Sequence, residues 1–143
     1  MVHQTFKKIL VATDGSEGAR RAFKVAIDLA AKYGSKLELI SVLEGTPKFA
    51  TSISESKMME DRQREHFADI HNAALVEAAK AGLELSSKIL PGHEVMTLVD
   101  YAKKQKHDLL VIGIHGHSTQ GKARTGATAR AIVEESPCAV LLA

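Results

Sequence analysis

Tryptophan is absent from this chain, and aromatic residues make up only 4% of it. That scarcity argues against a flavin site or a surface that stacks nucleic-acid bases, since both lean on aromatic faces. A single cysteine leaves nothing for an internal disulfide. No apolar run approaches the length needed to span a bilayer, and Met1–Phe6 lacks the pattern of a secretory signal. A cytoplasmic location without membrane contact is the expectation. Nor is there a surplus of one charge. The net value is +2 with basic residues spread along the chain, so the composition gives no support for a nucleic-acid partner. Internal repeats and low-complexity tracts are also missing. What remains is 143 residues with 45% hydrophobic content, which suits one domain with a sizeable core.

The apolar pattern alternates between short runs and helical periods. Lys7–Thr13 reads as a buried strand ending in the turn cluster Asp14-Gly15-Ser16. Ala19, Phe23, Ala26, Ile27, Ala30 and Tyr33 recur at helical spacing, with Gly34 as a stop. Lys36–Leu43 is a second strand. Glu44–Glu55, rich in Ser and Thr, reads as a long surface loop. A long helix follows, with Phe67, Ile70, Ala74 and Ala78 on one face and Gly82 as its stop. His66 and His71 lie on it five residues apart, off the spacing that zinc sites use, and are expected to be solvated. Leu83–Leu90 is a third strand, closed by Pro91-Gly92. Val95, Leu98, Val99 and Ala102 mark a third helix, and its basic end (Lys103, Lys104, Lys106) suits the negative end of the helix dipole. A fourth helix runs through Ala129, Ile132 and Val133, and Cys138–Leu142 is a last strand after Pro137. Cys138, with no histidine nearby, reads as a packed small residue. Five strands alternating with four helices predict an open doubly wound α/β domain, which binds ligands at the C-terminal ends of its strands.

The most informative stretch is Leu109–Arg130, LLVIGIHGHSTQGKARTGATAR. An apolar strand stops at Gly113, Gly116 follows, a polar loop carries Lys122 and Arg124, and Gly126 opens a helix. Strand, glycine loop and helix together aim backbone N–H groups at an anion. Glycines permit a phosphate to approach closely or supply a positive φ. The bland alternative is that they only shape a tight turn. Two familiar motifs fail here. Gly116–Lys122 spells G-x-x-x-x-G-K, but Ala123 replaces the magnesium-binding hydroxyl of a P-loop. Gly116-His117-Ser118 begins a nucleophile elbow, yet Gln120 takes the last glycine position and no histidine follows Ser118.

The spacing that fits is Gly113-x-x-Gly116, nine residues, then Gly126. It resembles the nucleotide loop of the universal stress protein family, G-x-x-G, nine residues, G-[S/T]. LVATDGSEGARRAF near the start and SPCAVLLA at the end are similar to that family's first and last strands, so the resemblance spans residues 1–143 as a single domain. It implies the strand order 3-2-1-4-5, with strands one and four side by side and Asp14 facing the Gly113 loop. It also implies an adenine-nucleotide site for ATP, with or without Mg2+, and no metal or catalytic side chain of the protein's own. The residues that match are Ala12, Thr13 and Asp14 after strand one, and Val42, whose backbone would read adenine. Ile112, Gly113, His115 and Gly116 follow strand four, and Gly126, Ala127, Thr128 and Ala129 open the next helix. The departure is Ala127, where nucleotide-binding members carry Ser or Thr; Thr128 comes one residue late, and Lys122, Arg124, Ser118 or Thr128 would partly compensate. Asp14 either caps the first helix or contacts the ligand, and one residue can do both. A receiver domain is excluded because Asp14 stands alone and no lysine ends the last strand, and a flavodoxin by the missing aromatics and phosphate loop.

Within the family, one type binds ATP and acts as a nucleotide-dependent stress-response regulator. The other has lost the loop and works as a dimeric module for protein partners. The three glycines favour the first. No convincing general base is in reach, so slow ATP hydrolysis is the most that the sequence supports. A homodimer is also expected. Cys138–Ala143 carries no charge, nothing in it protects a sheet edge, and family members commonly dimerise through this strand.

Overall fold

The computed structural model describes residues 5–45, 52–114 and 126–143. At its centre run two parallel strands, β1 (Lys8–Ala12) and β4 (Leu109–Ile112), paired Ile9 to Leu109 through Val11 to Val111. Their continuous apolar runs are what a parallel strand covered on both faces requires. Ile9, Leu10, Val11, Leu110 and Val111 are all fully buried. Beside β1 lies β2 (Lys36–Leu43) and then β3 (Leu85–Pro91); beside β4 lies β5 (Ala139–Leu142). All pairs are parallel and the order is β3-β2-β1-β4-β5, so the expected 3-2-1-4-5 topology is the one observed. β2 and β4 have the bounds expected from sequence; β3 runs from Leu85 to Pro91 and β5 starts at Ala139, small shifts at the frayed ends of the apolar runs.

Successive strand residues point to opposite faces, and this alternation sorts the core into two layers. Ile9, Val11, Leu37, Leu39, Leu109 and Val111 face helices α1 (Glu17–Tyr33) and α2 (Ile53–Lys80). Leu10, Ile40, Leu110 and Ile112 face α3 (Glu94–Lys104) and α4 (Ala127–Glu135) through Leu98, Ala102, Ala129 and Ile132. Truncating one of the fully buried leucines to alanine removes about 2–5 kcal/mol in such a core.

The long connection after β2 ends sooner than its composition suggests. Ser52 caps α2, its Oγ accepting from Glu55 N at 3.0 Å, and the helix is under way at Ile53. Residues 46–51 of that connection lie outside the described residues. α2 buries Phe67, His71, Ala74 and Ala78, whereas Ile53 and Met58 in its first half stay exposed. This corrects the expectation for one histidine. His66 is exposed, but His71 is packed on the apolar face of the helix.

Candidate functional site

The chain leaves β1 and β4 in opposite directions. From β1 it passes through α1 to β2 on one side, and from β4 through α4 to β5 on the other. A crevice opens where neighbouring strands part in this way. A cavity of about 490 Å³ fills it, lined by Ala12, Thr13 and Asp14, by Val42, by Ile112 and Gly113, and by Gly126, Ala127, Thr128 and Ala129. Ten of the residues singled out from sequence therefore meet in one place. His115 and Gly116, with His117, Ser118, Lys122 and Arg124, lie outside the described residues.

The β1 wall is a bonded turn. Thr13 N donates to Ile40 O at 3.0 Å, Gly15 N to Thr13 Oγ1 at 3.1 Å, and Ser16 N to Asp14 Oδ1 at 2.9 Å. Ser16, not Asp14, caps α1, its Oγ accepting from Ala19 N at 3.2 Å. Asp14 instead turns the chain into the cap and still lines the cavity. Gly15 sits at φ 83° with Ile70 of α2 against it, a conformation that disfavours any side chain.

The β4 wall explains Gly113 differently from the sequence. Its φ is not positive. A Cβ there would lie 2.8 Å from the carbonyl carbon of Gly18 and 3.1 Å from Ala19 N. Gly113 lets β4 pass against the first turn of α1. Beyond it, Ile114 O accepts from Gly126 N at 2.9 Å, so the two ends flanking residues 115–125 are joined. Gly126 is the N-cap of α4, with φ −67°, ψ 157° and no side-chain cap hydrogen bond among the described residues. The first-turn N–H groups of α4 have no intrahelical acceptors, and the residues carrying them line the cavity. No acidic side chain sits in that turn to neutralise the dipole, so this end of the cavity attracts anions.

Val42 contributes backbone. In a strand, alternate residues direct their N–H and C=O groups to the same side. Ile40 O bonds across to Thr13, and Leu43 O accepts from Gly92 on the β3 side. Val42 thus turns both backbone groups toward β1, whose ladder with β2 ends at Ala12 and Ile40. One donor and one acceptor face the cavity side by side.

Sequence reasoning missed the opposite wall. Glu44 and Glu94 join Asp14 around the cavity, and Gln63, His66 and Phe67 of α2 close it. Burial, then the charges of Asp14 and Glu44, push the Glu94 carboxyl above its usual range, with His93 opposing. The cavity is therefore polarised: a helix N-terminus at one wall, three carboxylates at another. Among the described residues no group of three or more His, Cys, Asp or Glu side chains is arranged to hold a metal ion. No described helix is long and apolar enough to cross a membrane.

Five parallel strands in this order, with a polarised crevice at the point where the chain reverses, define a doubly wound α/β domain with a ligand cleft. The model of the universal stress protein family matches residues 5–143, and the chain belongs to that family. A universal stress protein of Thermus aquaticus is 29% identical over 138 residues, which cover 96% of this chain and 98% of its own. Universal stress protein UspA from Lactobacillus plantarum has the same fold, with a TM-score of 0.90 at 24% identity, covering 98% of this chain and 99% of that one. A universal stress protein in complex with cAMP aligns with a TM-score of 0.75 at 25% identity, over 97% of both chains.

Proposed function

We propose that this protein binds an adenine nucleotide, ATP with or without Mg2+, in the cavity at the ends of β1 and β4, and acts as a nucleotide-dependent regulator of the cytoplasmic stress response. The observation that carries the reading is the pairing of two backbone features on one cavity. The N-terminus of α4, without a side-chain cap among the described residues, suits phosphate, and the donor–acceptor pair of Val42 suits the edge of an adenine ring. The base donates from its exocyclic amine to Val42 C=O and accepts at a ring nitrogen from Val42 N–H. The ribose hydroxyls donate to the carboxylates, Asp14 first among them. The phosphates lie over Gly113, Gly126, Ala127, Thr128 and Ala129. The cAMP complex of a related protein supports the choice of an adenine ligand.

Ala127 weakens the site without removing it. The absent hydroxyl is worth about 0.5–1.5 kcal/mol, at most roughly tenfold in affinity, and the backbone donors of α4 do not depend on it. Calorimetry with millimolar ATP and magnesium tests the reading: heat that saturates is expected, and no heat overturns it. The protein then falls to the alternative, a dimeric module for protein partners.

The dimer itself rests on β5. It is an edge strand whose Val140, Leu141 and Leu142 are half-buried and whose outer N–H and C=O groups face no described strand. Antiparallel pairing of two such strands closes both edges. Light scattering on the eluting protein should give twice the chain mass of 15.4 kDa, and Val140→Lys should return it to the monomer.

A further inference from the structure

α2 buries a polar side chain in an apolar setting. His71 is 3% exposed and lies in the row of Phe67, Ala74 and Ala78. Its Nε2 is 2.8 Å from Ser41 Oγ, and that oxygen is 2.7 Å from the carbonyl oxygen of Thr13. The chemistry of these atoms fixes the direction of both bonds. A carbonyl only accepts, so the single hydroxyl proton of Ser41 goes to Thr13. Ser41 Oγ must then accept from His71, and the imidazole carries its proton on Nε2. Nδ1 is left as a bare acceptor, buried and without a hydrogen-bond partner among the described residues.

An apolar side chain of similar size would fill this place without stranding an acceptor. The contribution of the imidazole is therefore the bond it makes, and that bond ends at the rim of the cavity. Thr13 lies one residue past the end of β1, yet it is tied to β2 twice, through its N–H to Ile40 O and through its carbonyl to Ser41. The second tie turns the carbonyl toward the α2 layer. The planar trans peptide then sets the N–H of Asp14 in the opposite direction, and with it the start of the turn that carries the Asp14 carboxylate. Ser41 also immediately precedes Val42 on β2. One buried pair thus stands behind both strand ends that line the proposed base and ribose side of the site.

We propose that His71 is a positioning residue for the nucleotide site. By donating to Ser41 Oγ it commits the hydroxyl proton to Thr13 and holds the Thr13–Asp14 peptide in the orientation that ligand binding uses. The proposal rests on the adenine-nucleotide reading above.

Three variants test it in the full chain: His71→Leu, which removes the donor but keeps an apolar filling; Ser41→Ala, which cuts the same connection without touching α2; and His71→Gln, whose amide N–H reaches the place of Nε2. Each is measured for ATP affinity by calorimetry, for its urea midpoint, and for the amide signal of Asp14 by NMR. The expected result for His71→Leu is a displaced Asp14 signal and ATP binding weakened roughly three- to tenfold. Its urea midpoint should be unchanged or higher, because the stranded Nδ1 is gone. Ser41→Ala should displace the same signal, and it decides the matter if His71→Leu fails to fold. His71→Gln should recover most of the affinity. An Asp14 signal that stays in place, or an affinity loss that merely follows a lower midpoint and is not recovered by glutamine, overturns the proposal. If the wild-type protein takes up no ATP, the nucleotide reading fails separately. The imidazole nitrogen spectrum and the Asp14 signal then decide the remaining claim, and a proton on Nδ1 in place of Nε2 overturns it.

Discussion

The two ends of the same five strands treat their polar groups in opposite ways. At the N-terminal end, side chains bond to one another and to the backbone, and of the buried side-chain atoms there only His107 Nδ1 has no hydrogen-bond partner among the described residues. The Asp108 carboxylate accepts from Lys7 N at 2.8 Å and Lys8 N at 3.0 Å, and Lys8 Nζ donates to Gln105 O. Glu38 accepts from Tyr101 Oη at 2.7 Å with one oxygen and from His107 Nε2 at 3.0 Å with the other. At the C-terminal end, Asp14, Glu44 and Glu94 gather round an open cavity, facing backbone donors of α4 and Val42 that the strands and helices do not use. The first end closes the sheet; the second lines a cavity with carboxylates and backbone groups. Direction along a parallel sheet makes the difference. Each of β1 to β4 is followed by a helix, so these strand ends collect orphan helix N–H groups while the strand starts do not.

The largest effect should come at the open end. Gly126→Val leaves backbone angles that valine can adopt but puts a branched side chain where the phosphates are proposed to lie. It should weaken ATP binding by about a hundredfold with little change in stability. A matching loss of thermal stability would instead mean that the glycine only shapes the turn.

At the closed end the sign reverses. Glu38→Ala strips Tyr101 and the buried His107 of their shared acceptor and should cost about 1–3 kcal/mol of unfolding free energy by urea titration. ATP affinity should not change. If it does, the two ends are not independent.

A smaller, pH-dependent effect distinguishes the buried imidazoles from the cavity carboxylate. Burial holds His71 and His107 below the ordinary histidine value of 6.5, for His107 against the pull of Glu38. The unfolded chain binds more protons just below that value, so their contribution is complete above about pH 6.5 and is lost as pH falls toward the depressed folded values. Glu94 works the other way. Its folded value is raised above 4.5, so its contribution is present in acid and is lost as pH rises through the raised value. Relative to wild type, His71→Leu should gain stability as pH drops from about 7 to about 5, and Glu94→Gln should gain as pH rises from about 4.5. Urea midpoints across that range check both. The smallest change is a repair: Ala127→Ser should tighten ATP by up to about tenfold if the missing hydroxyl is the only defect. Unchanged affinity would mean that the phosphates lie elsewhere or that Thr128 already serves.

The contrast between the ends was only half legible in the sequence. The apolar run of β4 marked its own limits, because a strand buried on both faces leaves little room for polar residues; β2 has the expected bounds although it carries Glu38 and Ser41. The glycine spacing located one wall of the cavity. Glu44 and Glu94 carried no local signal; only the sheet order brings them to Asp14. The five-residue spacing of His71 from His66 says nothing of burial. Set beside Phe67, Ala74 and Ala78, His71 falls on the buried helical stripe, at steps of four, three and four residues. Asp14 and Ser16 are both good caps, and the hydrogen bond alone separates them. Gly113 was expected to serve a ligand, whereas close packing on Gly18 also demands it.

The most direct test follows backbone amide signals while ATP and magnesium are titrated into the labelled protein. Binding at the open end should shift Thr13, Asp14, Val42, Gly113, Gly126, Ala127 and Ala129, and should leave Lys8, Glu38, His107 and Asp108 where they are. Shifts confined to the second group, or no shift at millimolar ATP, would contradict the account.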